Sequence, residues 1–118
     1  MTTETRPSVR DMVHEIQVRV LKGGLTVDVA LEDMNALGAL LGNVNDQISK
    51  CKMAYNQCYL HHFDVEGKAN RARIKADTGP EYAALMDAQN TKELVVTMIG
   101  TLKYLVRNEH EHMKNFGG

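Results

Sequence analysis

Apolar side chains recur along the middle of the chain at alternating spacings of three and four residues, from about Asp28 to Ala76. This heptad pattern is typical of a helix that packs a narrow apolar stripe against a partner helix in a coiled coil. It predicts one very long central helix, which at 1.5 Å per residue would span roughly 73 Å. The stripe positions, of which only His62 is polar, are Met34, Leu37, Leu41, Val44, Ile48, Cys51, Tyr55, Cys58, His62, Val65, Ala69, Ala72 and Ala76.

A short first helix is predicted from about Val9 to Lys22. Ser8 stands where an N-cap is needed, and Asp11 follows three residues later as a weaker substitute for the glutamate of a capping box. Gly23-Gly24 is expected to end this helix, because glycine readily takes the left-handed conformation found at helix ends. We expect residues 1–7, which are polar and terminal, to be disordered.

The last helix is predicted from about residue 81 to residue 115, after the turn signal Asp77-Thr78-Gly79-Pro80. Glycine ends the preceding helix, and proline suits the first turn of the next one. A turn this tight requires the last helix to run antiparallel to the central helix. Mirror pairing about the turn predicts four neighbouring pairs: Leu85 with Ala72, Ile99 with Cys58, Val106 with Cys51, and Met113 with Val44.

Together these elements predict an all-α fold. It is an antiparallel helical hairpin, or coiled coil, with one very long central helix at about 28–76 and a short N-terminal helix, in a single domain from residue 8 to 118. We expect the first helix to fold back on the first half of the central helix. Gly38 and Gly42 lie on one side of the central helix, where each costs about 1 kcal/mol in helix propensity. They predict the close approach of another backbone at that point.

The composition agrees with a slender helical protein. A hydrophobic fraction of 43% with 25% charged residues is typical of globular chains, and the absence of Trp with only 5% aromatics indicates an aliphatic core. Cys51 and Cys58 lie roughly 10 Å apart along one helix face, too far for a mutual disulfide. Because small scaffolds with thin cores commonly need partners, we expect a homo-oligomer.

Net charge and hydropathy indicate which partners and which compartment to expect for the protein. The net charge of −1 offers no overall attraction to nucleic acid or to an anionic membrane, so any such binding must be local. No run approaches the ~18 apolar residues of a membrane span, and residues 1–7 lack the apolar core of a signal peptide. We therefore expect a cytoplasmic protein with no membrane partner.

The strongest candidate site is the basic tip, which we define as residues 66–77 at the turn end of the hairpin. It contains four cations and two carboxylates, a local excess of +2 (4 − 2). Lys68, Arg71 and Lys75 recur at helical spacing and can follow a phosphate backbone along one face. The alternative is a solvated helix end whose cations are favoured by the helix dipole. The candidate nucleic-acid-binding residues are Lys68, Arg71, Arg73 and Lys75.

The remaining polar residues form no recognisable catalytic or metal-binding pattern. His61-His62 and His110-x-His112 lack the i, i+4 spacing of helical zinc ligands. No Ser/His/Asp, Cys/His or glycine-rich phosphate-binding arrangement is visible in the sequence, and a thin hairpin offers no obvious pocket. We therefore expect no metal, no cofactor and no enzymatic activity.

The helical layout and the segment from Lys68 to Tyr82, KANRARIKADTGPEY, resemble the recombination mediator family of myophages. The resemblance covers roughly Met34 to Phe116. Members of that family load a recombinase onto single-stranded DNA as a ring-like oligomer. The resemblance implies a phage-encoded protein acting in the host cytoplasm, with single-strand contacts made by the four cations of the basic tip.

Two functional hypotheses follow from the sequence. The first is an oligomeric accessory protein of DNA recombination or replication that contacts single-stranded DNA through the basic tip. The second is a small helical adaptor or inhibitor that docks on a host or phage protein through exposed apolar residues and has no nucleic-acid role. Retention of nucleic acid by the purified protein at low salt would distinguish them.

Overall fold

The computed structural model describes residues 8–116, with side chains through residue 111. Over that range the chain forms four helices and no strand: α1 (Val9–Leu21), α2 (Val27–Glu66), α3 (Ala69–Asp77) and α4 (Pro80–Phe116). The prediction of an all-α hairpin with a long central helix and a short N-terminal helix is confirmed. The expected disorder of residues 1–7 lies outside the described residues.

The signals that the sequence places at the two ends of α1 are present in the structure. The Ser8 hydroxyl accepts a hydrogen bond from the Asp11 amide at 3.1 Å, and the Asp11 carboxylate accepts one from the Ser8 amide at 3.3 Å, which completes a capping box. Gly23 has φ +72° beyond the C-terminus of α1. The Thr26 hydroxyl accepts the Val29 amide at 3.2 Å and so caps α2. Local chemistry therefore determines where α1 ends and where α2 begins.

The helices contribute to two compact units. Unit 1 contains α1, α2 up to Leu41 and α4 from Glu93, whereas unit 2 consists of Gly42–Lys92. The sequence predicts a single domain. In unit 1 the helix α1 packs on the first part of α2, as expected, and the Arg19 guanidinium donates to the Asp33 carboxylate at 3.1 Å. The buried core of unit 1 consists of Val13, Ile16, Ala30, Leu37, Val95, Met98 and Leu102.

Unit 2 is built from three helical segments, because α2 ends at Glu66 and a separate helix, α3, begins at Ala69. Its buried apolar residues come from α2, α3 and α4: Val44, Ile48, Ala72, Ala76, Leu85 and Ala88. The predicted stripe of α2 is buried or half-buried from Met34 through His62. Beyond that point the pattern fails, since Val65 is 68% exposed and Ala69 is also exposed.

The single helix predicted at 28–76 is therefore wrong. Gly67 adopts φ +68°, and its amide donates to the Phe63 carbonyl at 2.8 Å, which closes the end of α2. Lys68 is extended at φ −132° and ψ 130°. Two consecutive non-helical residues end α2, and α3 then folds back beside its last turns.

Two of the four predicted pairs between the last helix and the central helix are also wrong. At the start of α4, the Tyr82 ring lies 5.7 Å from the Tyr55 ring. Farther along, Ile99 and Val106 pack against the unit 1 core around Leu37 rather than beside Cys58 and Cys51. The mirror pairing assumed that the central helix continues straight to the turn before α4. Instead, the nine residues of α3 fold back first, which shifts α4 relative to α2. Met113 lies beyond the described side chains.

Gly38 and Gly42 do not mark a close backbone approach. Both are exposed, and a Cβ added at either position would meet no atom within 4 Å. For the described residues, the expectation of a neighbouring backbone there is wrong. The two glycines remain a cost to the helix, because they raise the conformational entropy that α2 loses on folding.

We expect Gly38→Ala and Gly42→Ala each to raise the free energy of unfolding by roughly 0.5–1 kcal/mol, because alanine restricts the unfolded chain and meets no neighbour. Urea unfolding followed by circular dichroism measures the change. Gly67→Ala is the control, since φ +68° strains any L-residue and the same substitution should destabilise the protein there. A loss of stability at Gly38 or Gly42 would contradict an open helix face.

Candidate nucleic-acid interface

The structure divides the basic tip between two helices. Glu66 is the last residue of α2, Gly67 and Lys68 form the connection, and Arg71, Arg73 and Lys75 lie on α3. The sequence predicts that Lys68, Arg71 and Lys75 share one face of a continuous helix, but Lys68 lies in the connection before α3. All four side chains are exposed.

Two of the four cations are engaged within the chain. The Lys75 ammonium forms an ion pair and hydrogen bond with the Glu66 carboxylate across the connection. The Arg73 guanidinium lies 3.8 Å from the Asp77 carboxylate, one turn away on α3, and its side chain remains 75% exposed. Lys75 therefore has a structural role in holding α3 against α2, whereas Arg73 makes only a weak surface pair.

The Glu66 carboxylate is the electrostatic centre of this fold-back. Its hydrogen bond and charge interaction with Lys75 hold its pKa below the usual range, and Arg71 and His62 contribute further in the same direction. Because the side chain of Glu66 is 17% exposed, the charge is partly shielded from water. Glu66 thus pairs with Lys75 and offsets part of the positive charge of the basic tip.

Of the four cations, Lys68 and Arg71 form no ion pair with any residue in the described part of the chain, which makes them the better placed to meet a ligand. Lys68 stands at the N-cap position of α3, and its side chain does not cap the helix. The first intrahelical bond of α3 runs from the Ala72 amide to the Lys68 carbonyl at 3.0 Å. The amides of Ala69, Asn70 and Arg71 therefore have no acceptor within the helix. Two cations and these donors lie together at one exposed helix end, an arrangement that favours phosphate.

The far end of α3 is anchored by aromatic side chains. The Tyr55 hydroxyl donates to the Asp77 carboxylate at 2.5 Å. This hydrogen bond, together with burial and the negative charge of Asp77, raises the pKa of Tyr55 to about 12. Tyr82 packs on Tyr55, and Tyr59 stacks on Phe63 at 6.4 Å. Since Tyr82 is half-buried in this contact, it offers no free stacking platform to a base beside α3.

A cleft in unit 2 brings Cys58, His61 and His62 near Glu81 at the start of α4. Burial raises the pKa of the Cys58 thiol, and the charge of Glu81 and a hydrogen bond to it act in the same direction. Because a raised pKa disfavours the thiolate, Cys58 lacks the lowered pKa that activates many nucleophilic cysteines. Among residues 8–111, no three His, Cys, Asp or Glu side chains are placed to hold a metal ion.

Sequence reasoning missed the features that distinguish the four cations. The Glu66–Lys75 pair and the uncapped start of α3 both depend on the break at Gly67. The signal available was an isolated glycine inside a helical pattern, which can mark a helix end. In this chain the heptad spacing continued through it to Ala76 and concealed the break.

Comparison of the chain with family models, with curated proteins and with solved structures finds no match. No helix in the described range has the length and apolar character to cross a membrane.

Proposed function

We propose that the protein is an oligomeric accessory factor of DNA recombination or replication that contacts single-stranded DNA through the start of α3. The observation that carries this proposal is the exposed pair Lys68 and Arg71 beside the unpaired amides of Ala69, Asn70 and Arg71. The role is binding rather than catalysis, and the resemblance to phage recombination mediators supports a phage origin.

The charge distribution supports a local phosphate contact. Residues 68–76 contain four cations and no carboxylate, within a chain whose net charge is −1. Because Lys75 is held by Glu66, we assign the main contacts to Lys68 and Arg71 and a lesser one to Arg73. Recognition is expected to be electrostatic and independent of sequence, since phosphate contacts carry no direct base information.

The test uses a fluorescently labelled oligothymidylate and measures its anisotropy against protein concentration at several salt concentrations. The variant is Lys68→Gln with Arg71→Gln. We expect its affinity at low salt to fall by roughly tenfold or more. The slope of log K against log salt should flatten by about 1.4, or ~0.7 for each phosphate of the single strand that is no longer neutralised by a cation.

Lys92→Gln with Lys103→Gln is the matched control, because it removes the same charge from two exposed positions of α4, outside the basic tip. An equal loss of affinity in the control would refute the assignment to α3. Lack of oligonucleotide binding by the unmodified protein at low salt would refute the nucleic-acid role itself.

A second candidate function is favoured by a different observation. Several large apolar side chains of unit 2 are exposed, among them Met53 at 63%, Leu60 at 59% and Ile74 at 65%. These residues suit a small adaptor or inhibitor that docks on a host or phage protein. This role would be preferred if the protein ignored DNA and remained monomeric.

A further inference from the structure

The helix α2 carries a second apolar stripe in unit 2, on the face opposite its contact with α4. Met53, Leu60 and Phe63 are 63%, 59% and 40% exposed, and Asn56 lies between them. These four residues follow one another at spacings of three, four and three, which is the pattern of a coiled-coil seam. The heptad stripe described above, the inner stripe of α2, is covered in unit 2 by other helices from Val44 to His62. By contrast, no residue in the described part of the chain covers the outer stripe.

We propose that the outer stripe, residues Met53, Asn56, Leu60 and Phe63, is the contact surface for a second copy of this chain, which pairs with α2 antiparallel about a two-fold axis near residue 58. A two-fold contact requires a self-complementary surface, in which each residue meets its counterpart in exchanged order. In this register Met53 faces Phe63 of the second copy, and Asn56 faces Leu60. The proposal does not depend on DNA binding.

The charges that border the stripe favour the antiparallel direction. Lys50 on one flank comes beside Asp64 of the second copy, and symmetry repeats the pair. Lys52 on the other flank comes beside Glu66 of the second copy, which Lys75 of its own chain already engages. A parallel pair would instead place Tyr59 beside Asp64 and would match no opposite charges along the flanks. Opposite flanking charges are the usual determinant of orientation in coiled coils.

The positive charges of the two basic tips also favour the antiparallel direction of pairing. An antiparallel pair places the two α3 helices at opposite ends of the overlap, whereas a parallel pair would bring both sets of four cations to one end. Repulsion between like charges at close range disfavours the second arrangement. The direction of pairing thus follows from charges within unit 2 alone.

The size of the surface determines how strong the contact is. The two α2 helices would overlap from about residue 49 to residue 67, or roughly 28 Å of helix. The outer stripe contributes only three large apolar side chains from each copy to that overlap, which places the interface at the low end of specific contacts. We therefore expect a reversible dimer with a dissociation constant on the order of micromolar.

Sedimentation equilibrium of the full chain, from about 1 to 500 μM, tests the proposal. The unmodified protein should show a monomer–dimer equilibrium, and Leu60→Asp should raise the dissociation constant by roughly a hundredfold. Leu31→Asp is the matched control, the same substitution on α2 at a side chain that is 44% exposed and lies off the stripe. It should leave the equilibrium unchanged, and circular dichroism should show that both variants stay folded.

A charge exchange tests the direction of pairing. Lys50→Glu alone and Asp64→Lys alone should each raise the dissociation constant by roughly three- to tenfold, and the double variant should restore the original value. Within one chain Lys50 pairs with Asp46 at 3.0 Å, a highly exposed contact that Asp64→Lys cannot repair, so the rescue reports the contact between copies.

A protein that remains monomeric throughout, or equal effects of Leu60→Asp and Leu31→Asp, would refute the stripe as the contact surface. Weakening by Leu60→Asp without rescue in the charge exchange would refute the antiparallel register.

Discussion

Replacement of Leu37 by alanine should lower the free energy of unfolding by about 2–5 kcal/mol, the largest stability effect that we expect from a single substitution in unit 1. The Leu37 side chain is fully buried, at 0% exposure, among core residues of α1 and α4. Its removal costs the transfer free energy of the lost methyl and methylene groups and leaves a cavity that three helices must close around. Urea unfolding at neutral pH, followed by helical circular dichroism, measures the difference.

Leu31→Ala provides the control for this experiment. Leu31 lies on the same helix but is 44% exposed, so its truncation should change the stability by less than about 1 kcal/mol. Both proteins must be compared at one concentration, because any self-association would add to the apparent stability. Equal effects of the two substitutions would contradict the burial of Leu37 between α1 and α4.

Replacement of Ala72 by leucine should destabilise unit 2 by about 1–3 kcal/mol. Ala72 and Ala76 are both fully buried, and their small side chains allow α3 to lie close to its neighbours. A larger side chain at Ala72 must either distort the packing or push α3 away. Amide hydrogen exchange of residues 69–77, measured together with urea unfolding, distinguishes local release of α3 from global loss of stability.

Ala69→Leu is the matched control on the same helix, since Ala69 is exposed at the first position of α3. It should leave exchange and stability nearly unchanged. The comparison also tests the fold-back directly. If α3 were instead the continuation of a straight α2, positions 69 and 72 would share the predicted stripe, and leucine would have similar effects at both.

Signals that act within a few residues were sufficient to predict most of the secondary structure. Ser8 and Asp11 start α1, Gly23 ends it, and Pro80 begins α4, each through a local property of the side chain or backbone. The inner stripe of α2 was also predictable through His62, because the heptad period reports directly which face is buried.

The break at Gly67 could not be predicted with the same certainty. One glycine costs a helix about 1 kcal/mol, which many helices tolerate, and the apolar spacing continued beyond it. The deciding contacts are non-local: the ion pair between Lys75 and Glu66 and the hydrogen bond from Tyr55 to Asp77 exist only after α3 has folded back. The register of α4 depends on those contacts and was therefore mispredicted.

The candidate site, too, could be predicted from the sequence only as far as local signals reach. Composition located the cluster of cations, because the count of charges in residues 66–77 needs no structure. It could not separate Lys75, which is held by Glu66, from Lys68 and Arg71, which are exposed beside unpaired amides. Likewise, Gly38 and Gly42, which have no side chain, suggested a packing partner that the described residues do not supply.

The placement of the two cysteines has a consequence for the redox chemistry of the molecule. Cys51 and Cys58 are the only thiols in the sequence, and both are free, half-buried and on the inner face of α2 in unit 2. Alkylating and oxidising reagents attack the thiolate, which is disfavoured at Cys58 because its pKa is raised. Because both thiols lie in unit 2, the rate of thiol modification reports on unit 2, while unit 1, which contains no cysteine, contributes nothing to the signal.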